Sequence, residues 1–402
     1  MDDLFIRVGT DYFKKISYQD KNGNTCEKLA YWKRQTILDD YGREFLKAIR
    51  QYDCFVNVPS NTAPPDIDPS NYNLYHPFQY VGLKGDWPIT ESMLRHIFGE
   101  QYELGLDYVQ LLYQQPGQIL PILCLVSRQN QTGKTTYITW LYNLFFGNVS
   151  VVGNQDFHSE FNSHYINKLI IAVDESKIDK NSTLEKLKSL STCRTVYMNG
   201  KFQAPVPIDF FAKIILLSNY EDSFITARDE DVRFWIRRLT QPPDTRNIDQ
   251  ELRDEIPAFV HFLNLRRMST KMESRMWFAP EQLRTSALEA VVENSKSWLY
   301  KELNELILNF FDNNELCDSF LADPTDLKKE FFALNHSVTL NYLRRVLRDE
   351  FKMSPGALAR YTPFESIAGP GCSKVGRPYS FARSDFVPER MTIDTILKNV
   401  CK

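Results

Sequence analysis

Ten consecutive residues, Ser127-Arg128-Gln129-Asn130-Gln131-Thr132-Gly133-Lys134-Thr135-Thr136, follow the apolar run ILCLV and precede the helical pattern Tyr137 to Phe146. A strand that breaks into a short polar loop and re-emerges as a helix aims backbone N–H groups and the helix N-terminus at one point, where an anion can sit. The sequence Gly133-Lys134-Thr135 makes that anion a phosphate. The Lys134 ammonium would reach the outer phosphate oxygens, the Thr135 hydroxyl would ligate magnesium, and Thr132, Gly133 and Thr136 would complete the cradle. The pattern GxxxxGK[ST] places its first glycine at Arg128. A side chain there costs about 1 kcal/mol if the loop needs a positive φ, an amount that nucleotide binding offsets.

Some forty residues on, LIIAV runs straight into Asp174-Glu175. An apolar strand ending in two adjacent carboxylates supplies two different groups to a phosphate site: Asp174 for the magnesium shell and Glu175 to polarise an attacking water. A third apolar run, KIILLS, ends at Asn219, whose neutral amide can orient water and report whether a terminal phosphate is present.

The order of these motifs, GKT, then hydrophobic-DE, then hydrophobic-SN, resembles superfamily 3 helicases, the AAA+ branch found in viruses, phages and mobile elements. NLYHPF at 73–78, FGEQYELGLDYVQLLYQQPGQILPILCLVSRQNQTGKTT at 98–136 and RFWIRRL at 233–239 are similar to the helicase part of bacterial mobile-element and phage primase-helicase proteins. The resemblance spans residues 50–240 and implies ATP and Mg2+ as cofactors, held between subunits of a homo-oligomeric ring, usually a hexamer. It also implies an arginine reaching in trans, for which Arg237 and Arg238 fit best, with Arg233 behind them; the competing reading is a solvated helix face near Trp235. Asn199-Gly200 between strand formers signals a hairpin. In the family a hairpin in this interval enters the pore, so Lys201 and Phe202 are expected to grip single-stranded DNA by charge and stacking. The expected function is an ATP-dependent DNA helicase or translocase replicating a phage or mobile element, with single-stranded or forked DNA and a separate primase as partners. Its expected place is the cytoplasm of a bacterium or a phage-infected host. A packaging, remodelling or defence ATPase and a nucleotide-dependent DNA-binding initiation scaffold stay open as alternatives. Lys134, Asp174 and Glu175 together weigh against the scaffold, since binding alone needs no water-activating carboxylate.

These residues need a frame, and ILCLV (122–126), LIIAV (169–173) and KIILLS (213–218) alternating with helical segments predict an α/β P-loop AAA+ core with a parallel sheet at 114–245. Before it, residues 1–60 show no clean period beyond a short helix from Asp39 to Ile49, and the proline-rich stretch at 57–80 reads as irregular. Helical spacing from Thr90 to Tyr113 predicts two packed helices, so 1–113 is expected to be an N-terminal region with a helical collar. After the core, 246–320 reads as helical, with one long amphipathic stretch from Val291 to Phe311. Residues 321–402 are expected to hold a winged helix. From Ser337 to Lys402 eleven Lys/Arg face six Asp/Glu, and Ser337 could cap a helix with Leu340, Leu343, Leu347 and Phe351 on one face. Asn341, Arg345, Arg348 and Lys352 would form the other face, Arg345 and Arg348 being the expected DNA contacts, and 376–386 would form a strand pair.

Composition bounds the rest. At 402 residues and 43% hydrophobic content the chain can bury a large core, and a net charge of −3 excludes a uniformly basic coat for nucleic acid. Seven scattered cysteines without a Cys-x-x-Cys pair, and six histidines without ligand spacing, predict neither a disulfide framework nor zinc. No apolar run is long enough for a membrane span, and MDDLFIRVGT shows no basic stretch followed by an apolar one, so a soluble, intracellular protein is expected.

Overall fold

Four runs buried along nearly their whole length form the heart of a parallel sheet, because a strand covered by helices on both faces needs apolar residues at every position. The structure is a computed structural model and describes residues 4–19, 25–174, 177–178, 181–200, 205–228, 231–242, 246–363 and 373–387. It comprises two compact units, residues 1–295 and 296–402, described separately below.

The first unit opens with β1 (Phe5–Val8), β2 (Asp11–Gln19), β3 (Thr25–Trp32), α1 (Arg34–Ala48) and β4 (Arg50–Tyr52). Their sheet runs β3-β2-β1-β4. Phe5 and Tyr12 pack under α1 with Ile37 and Ile49, while Ile6, Val8 and Phe13 face Phe55 and Tyr72. Only β1 and the start of β2 are buried on both faces; the rest of β2 and the described residues of β3 are half-buried or exposed, so no regular apolar/polar alternation runs through the sheet. The helix also starts at Arg34 rather than Asp39. The irregular stretch is pinned by β5 (Phe55–Val56) pairing with β6 (Tyr72–Asn73) and by asparagine side chains. Asn61 Nδ2 donates to the carbonyls of Leu112 and Tyr113, and Asn73 Oδ1 accepts from Val58 N.

Helices α2 (Pro88–Phe98) and α3 (Tyr102–Gln114) follow as two packed helices. They approach closely because Gly105 has no Cβ; one there would lie 2.2 Å from the Phe98 ring. The core continues with β7 (Ile122–Val126), α4 (Lys134–Leu144), β8 (Val149–Gly153), α5 (Asn154–His158), β9 (Ile170–Asp174), α6 (Asn181–Leu190), the hairpin β10 (Thr195–Met198) and β11 (Val206–Asp209), β12 (Lys213–Ser218) and β13 (Phe234–Arg238). The sheet order is β13-β7-β12-β9-β8, all parallel. Leu123, Leu125, Ile215, Leu217 and Trp235 point into one core, while Cys124, Val126, Leu216, Phe234 and Ile236 point into the other. RFWIRRL is therefore a buried strand, not a solvated helix face. Asn199-Gly200 does not make a two-residue turn: Met198 pairs with Val206, so the hairpin connection spans 199–205. Helices α7 (Asp249–Asp254), α8 (Ile256–Leu265) and α9 (Ser286–Ser295) complete the unit.

The expected helix from Val291 to Phe311 is broken. Alpha-helix α10 (Trp298–Asn313) starts anew at Ser297, whose hydroxyl accepts from Tyr300 N at 3.2 Å. The second unit continues with β14 (Ser319–Ala322), α11 (Pro324–Phe331), α12 (Leu340–Asp349), β15 (Ala359–Tyr361), β16 (Lys374–Gly376), β17 (Tyr379–Ala382) and α13 (Arg383–Phe386). Thr339, not Ser337, caps α12, since Ser337 donates to Asn335 instead. Residues 376–386 are not one strand pair either: β17 pairs with β14, β16 with β15, and 383–386 turn helical. Among the described residues no helix is long and apolar enough to cross a membrane.

Lys213 at the start of β12 is buried, its ammonium donating to the carbonyl of Phe211 at 2.8 Å and to that of Pro116. Burial brings its pKa down to about 7. The unfolded chain, with an ordinary lysine near 10.4, then binds the extra proton between these values, so folding becomes more favourable as pH rises through that window. Thermal unfolding of wild type and Lys213→Met at pH 7 and pH 9.5 tests this: wild type should gain relative to the variant at the higher pH.

Candidate nucleotide site

In a parallel α/β sheet ligands bind beyond the carboxyl ends of the strands, where strand order reverses. Here that edge brings together the ends of β7, β12, β9 and β13, and with them most of the residues singled out above. The loop after β7 closes on Gly133, whose left-handed φ of 84° only glycine adopts cheaply, and α4 begins at Lys134. Arg128, in the place of the first motif glycine, is not among the described residues with positive φ; that conformation falls on Gln131, at φ 58°. The expected strain at Arg128 is therefore absent, and the loop reaches its turn three residues later.

Lys134 Nζ donates to Asn219 Oδ1 at 2.8 Å and to the carbonyls of Ser127 and Ser218 at 3.2 and 3.3 Å. Burial pulls its pKa below the ordinary lysine value, and the charges of Asp174 and Glu221 partly oppose that shift. A lysine that satisfies itself on carbonyl oxygens at a helix N-terminus is poised to exchange them for phosphate oxygens. Thr132 is buried, with its Oγ1 lacking a hydrogen-bond partner, and its carbonyl meets His96 Nε2 at 3.1 Å. An orphaned hydroxyl beside such a loop suits a polar ligand better than it suits the chain alone. Thr135 is exposed at the helix start, Thr136 is half-buried, and Asp174 ends β9 exposed. These residues fit a nucleotide's phosphates with a divalent cation. Glu175, Lys201 and Phe202 lie outside the described residues.

The arginines separate. Arg237 is buried and donates from Nη1 to Glu100 at 2.6 Å and to Gln101 at 2.9 Å. Arg238, on the opposite face, pairs with Asp222 at 2.5 Å and Glu221 at 3.3 Å. Arg233 directly precedes the strand, with Nη1 3.3 Å from Asp231 and a buried Nε without a partner. Arg345 and Arg348 are exposed on α12 in the second unit. Sequence reasoning missed Glu221 and Asp222, which also hold Arg128: Glu221 accepts from its backbone N–H at 2.9 Å and Asp222 from its guanidinium at 2.9 Å. Their adjacency to Asn219 in SNYED was the available signal.

Residues 125–238 match a protein family described as a family of unknown function, DUF5906. No protein with a curated description matches the chain. Among solved structures, the apo C-terminal region (305–718) of NrS-1 is similar with a TM-score of 0.59 at 16% identity, covering 92% of this chain and 94% of that one. A further apo form of the same region gives a TM-score of 0.60 at 18% identity over the same shares. The chain has the fold of the NrS-1 C-terminal region. JCV helicase with a bound small molecule is far more distant, with a TM-score of 0.33 at 13% identity over 55% of this chain and 64% of that one.

Burial predicts different roles for the two neighbouring arginines. Arg237→Ala removes the hydrogen bonds to Glu100 and Gln101 and should cost about 2 kcal/mol of stability in urea unfolding. Arg238→Ala, at an exposed ion pair, should cost less than about 1 kcal/mol.

Proposed function

We propose that the chain is an ATP-dependent DNA translocase of the superfamily 3 helicase type, acting as a homo-oligomeric ring, with its motor in residues 114–245. The observation that carries this reading is Lys134 at the start of α4, hydrogen-bonded to Asn219 at the neighbouring strand tip, with Asp174 ending the next strand. Thr132 to Thr136 would hold the phosphates, and Thr135 and Asp174 the magnesium, which when bound would offset charge on the phosphates. Glu175 would take the water proton and Asn219 would orient that water. An arginine that serves a neighbour's nucleotide must lie away from its own loop. Arg237 is committed within the chain, and Arg238 sits at its own loop. Arg233 lies at the other end of β13, about 16 Å away along the strand, which favours it for the trans role. Lys201 and Phe202 remain proposed contacts to single-stranded DNA, and a primase a proposed partner.

ATP hydrolysis by the purified chain, with and without single-stranded DNA, tests the motor. Turnover should rise with DNA and fall at least about a hundredfold in Glu175→Gln, which should still bind ATP. Arg233→Ala should bind ATP yet lose turnover. Background turnover in wild type would favour the scaffold alternative, and DNA-stimulated turnover without strand separation the packaging or remodelling alternative.

In the second unit we propose a winged helix, supported by the order α10, β14, α11, α12 and then three short strands, with β17 returning to β14. Thr339 starts α12 and buries Leu343, Val346 and Leu347 while Arg344, Arg345 and Arg348 face solvent. Lys352 is not part of that face, since the helix ends at Asp349. Arg345→Ala and Arg348→Ala should each weaken duplex binding and lower the slope of log K against log salt by about 1.

A further inference from the structure

Three cations converge on the phosphate loop, and one four-residue segment holds all of them. Asn219 takes Lys134, Glu221 and Asp222 take Arg128, and the same two carboxylates take Arg238. Arg128 and Arg238 are much more exposed than the carboxylates that bind them, at 72% and 40% against 14% for Glu221 and 26% for Asp222. Two largely covered carboxylates tether two accessible guanidiniums beside a site built for a polyphosphate. Two oxygens of a tetrahedral phosphate can accept side by side from a guanidinium as the two oxygens of a carboxylate do, with more charge.

The segment is also wired away from the site. The Asp222 carbonyl accepts from Asn294 Nδ2 at 2.8 Å, and Ala227 N donates to Ser295 Oγ at 3.0 Å. Both partners end α9, where the first compact unit ends. The start of that helix is tied to β13 through Thr285 Oγ1, which donates to the Ile236 carbonyl at 2.8 Å, two residues before Arg238.

We propose that residues 219–222 form a latch standing in for nucleotide phosphates, that Arg128 and Arg238 are phosphate-binding residues held in reserve by Glu221 and Asp222, and that latch release loosens the end of α9. This rests on the nucleotide site proposed above. Arg128 then occupies the glycine position of the loop for a reason: it adds a cation that the ordinary motif lacks. When the polyphosphate claims Lys134, Arg128 and Arg238, the segment loses its side-chain anchors on the loop, its backbone contact to Asn294 loosens with them, and the neighbouring Ala227 contact to Ser295 follows.

The test uses the full chain, with Mg-AMP-PNP as probe. Binding is measured by displacement of a fluorescent nucleotide, and hydrogen exchange is followed at residues 219–228 and 286–295. Nucleotide should raise exchange in both segments. Asp222→Asn and Glu221→Gln, each first shown to be folded by thermal melting, should bind roughly threefold more tightly and show raised exchange at 286–295 without nucleotide. Arg128→Ala should bind roughly threefold more weakly. If wild type binds the probe but exchange at 286–295 stays unchanged and both acidic variants bind as wild type does, the latch is overturned and the nucleotide site stands. If wild type binds no nucleotide, the site itself fails and the latch with it.

Discussion

The placement of β12 between β7 and β9 is the constraint on which the rest depends. These strands are distant in sequence, and only their shared ladder puts Ser218, Val126 and Asp174 at one edge of the sheet. Neighbouring strands lie about 4.8 Å apart, so the tips of β13, β7, β12 and β9 span about 14 Å, the scale of a nucleotide's phosphate chain and its cation. The ladder holds because both faces are sealed by separate apolar cores, and a polar residue at any interior position of these strands would face apolar packing on one side or the other.

Around that sheet the helices are oriented by a few buried polar groups. Asp107 is fully buried; burial alone would raise its pKa, but hydrogen bonds from Thr270, Arg266 and Ser269 outweigh this and hold it below the ordinary carboxylate value. The ion pair with Arg266 fastens α3 to the segment after α8. Glu255 does similar work at longer range, its carboxylate accepting from Ile89 N and Thr90 N at 3.1 and 2.7 Å and so capping the first turn of α2. Such contacts add modestly to stability. Their consequence is geometric, because they hold α2, which carries His96, and the turn to α3, which carries Glu100, against the loop and β13.

The electrostatics of the site follow the same economy. Lys134, Arg128 and Arg238 would repel one another if left bare; the chain neutralises the two arginines with Glu221 and Asp222 and solvates Lys134 with neutral oxygens of Asn219, Ser127 and Ser218. Arg237 leaves the cluster only because alternate residues of a strand point to opposite faces. Two adjacent arginines in one sequence motif thereby acquire unrelated surroundings, one packed against the end of α2 and the turn that leads into α3, the other at the loop.

The α/β class, three of the core strands and the strand–loop–helix junction at Gly133-Lys134 were legible from the amino-acid sequence alone, because each is written in local pattern: uninterrupted apolar runs, and Gly-Lys-Thr between a strand and a helix. The sequence could not show the N-terminal sheet, whose strands are buried only in part and lack a regular alternation, nor the break at Ser297, where a capping hydroxyl starts a new helix within an amphipathic period that would otherwise run on. It likewise missed RFWIRRL as a strand, reading it as a source of trans-acting arginines or as a solvated helix face, because only Phe234-Trp235-Ile236 form an apolar run there, too short to set a period. Tertiary structure decided that Arg237 is buried, that Arg238 shares the acidic pair with Arg128, and that Asn219 faces Lys134. Each of these depends on which strands become neighbours, a matter settled by burial and hydrogen bonding over long sequence separations, which no local spacing records.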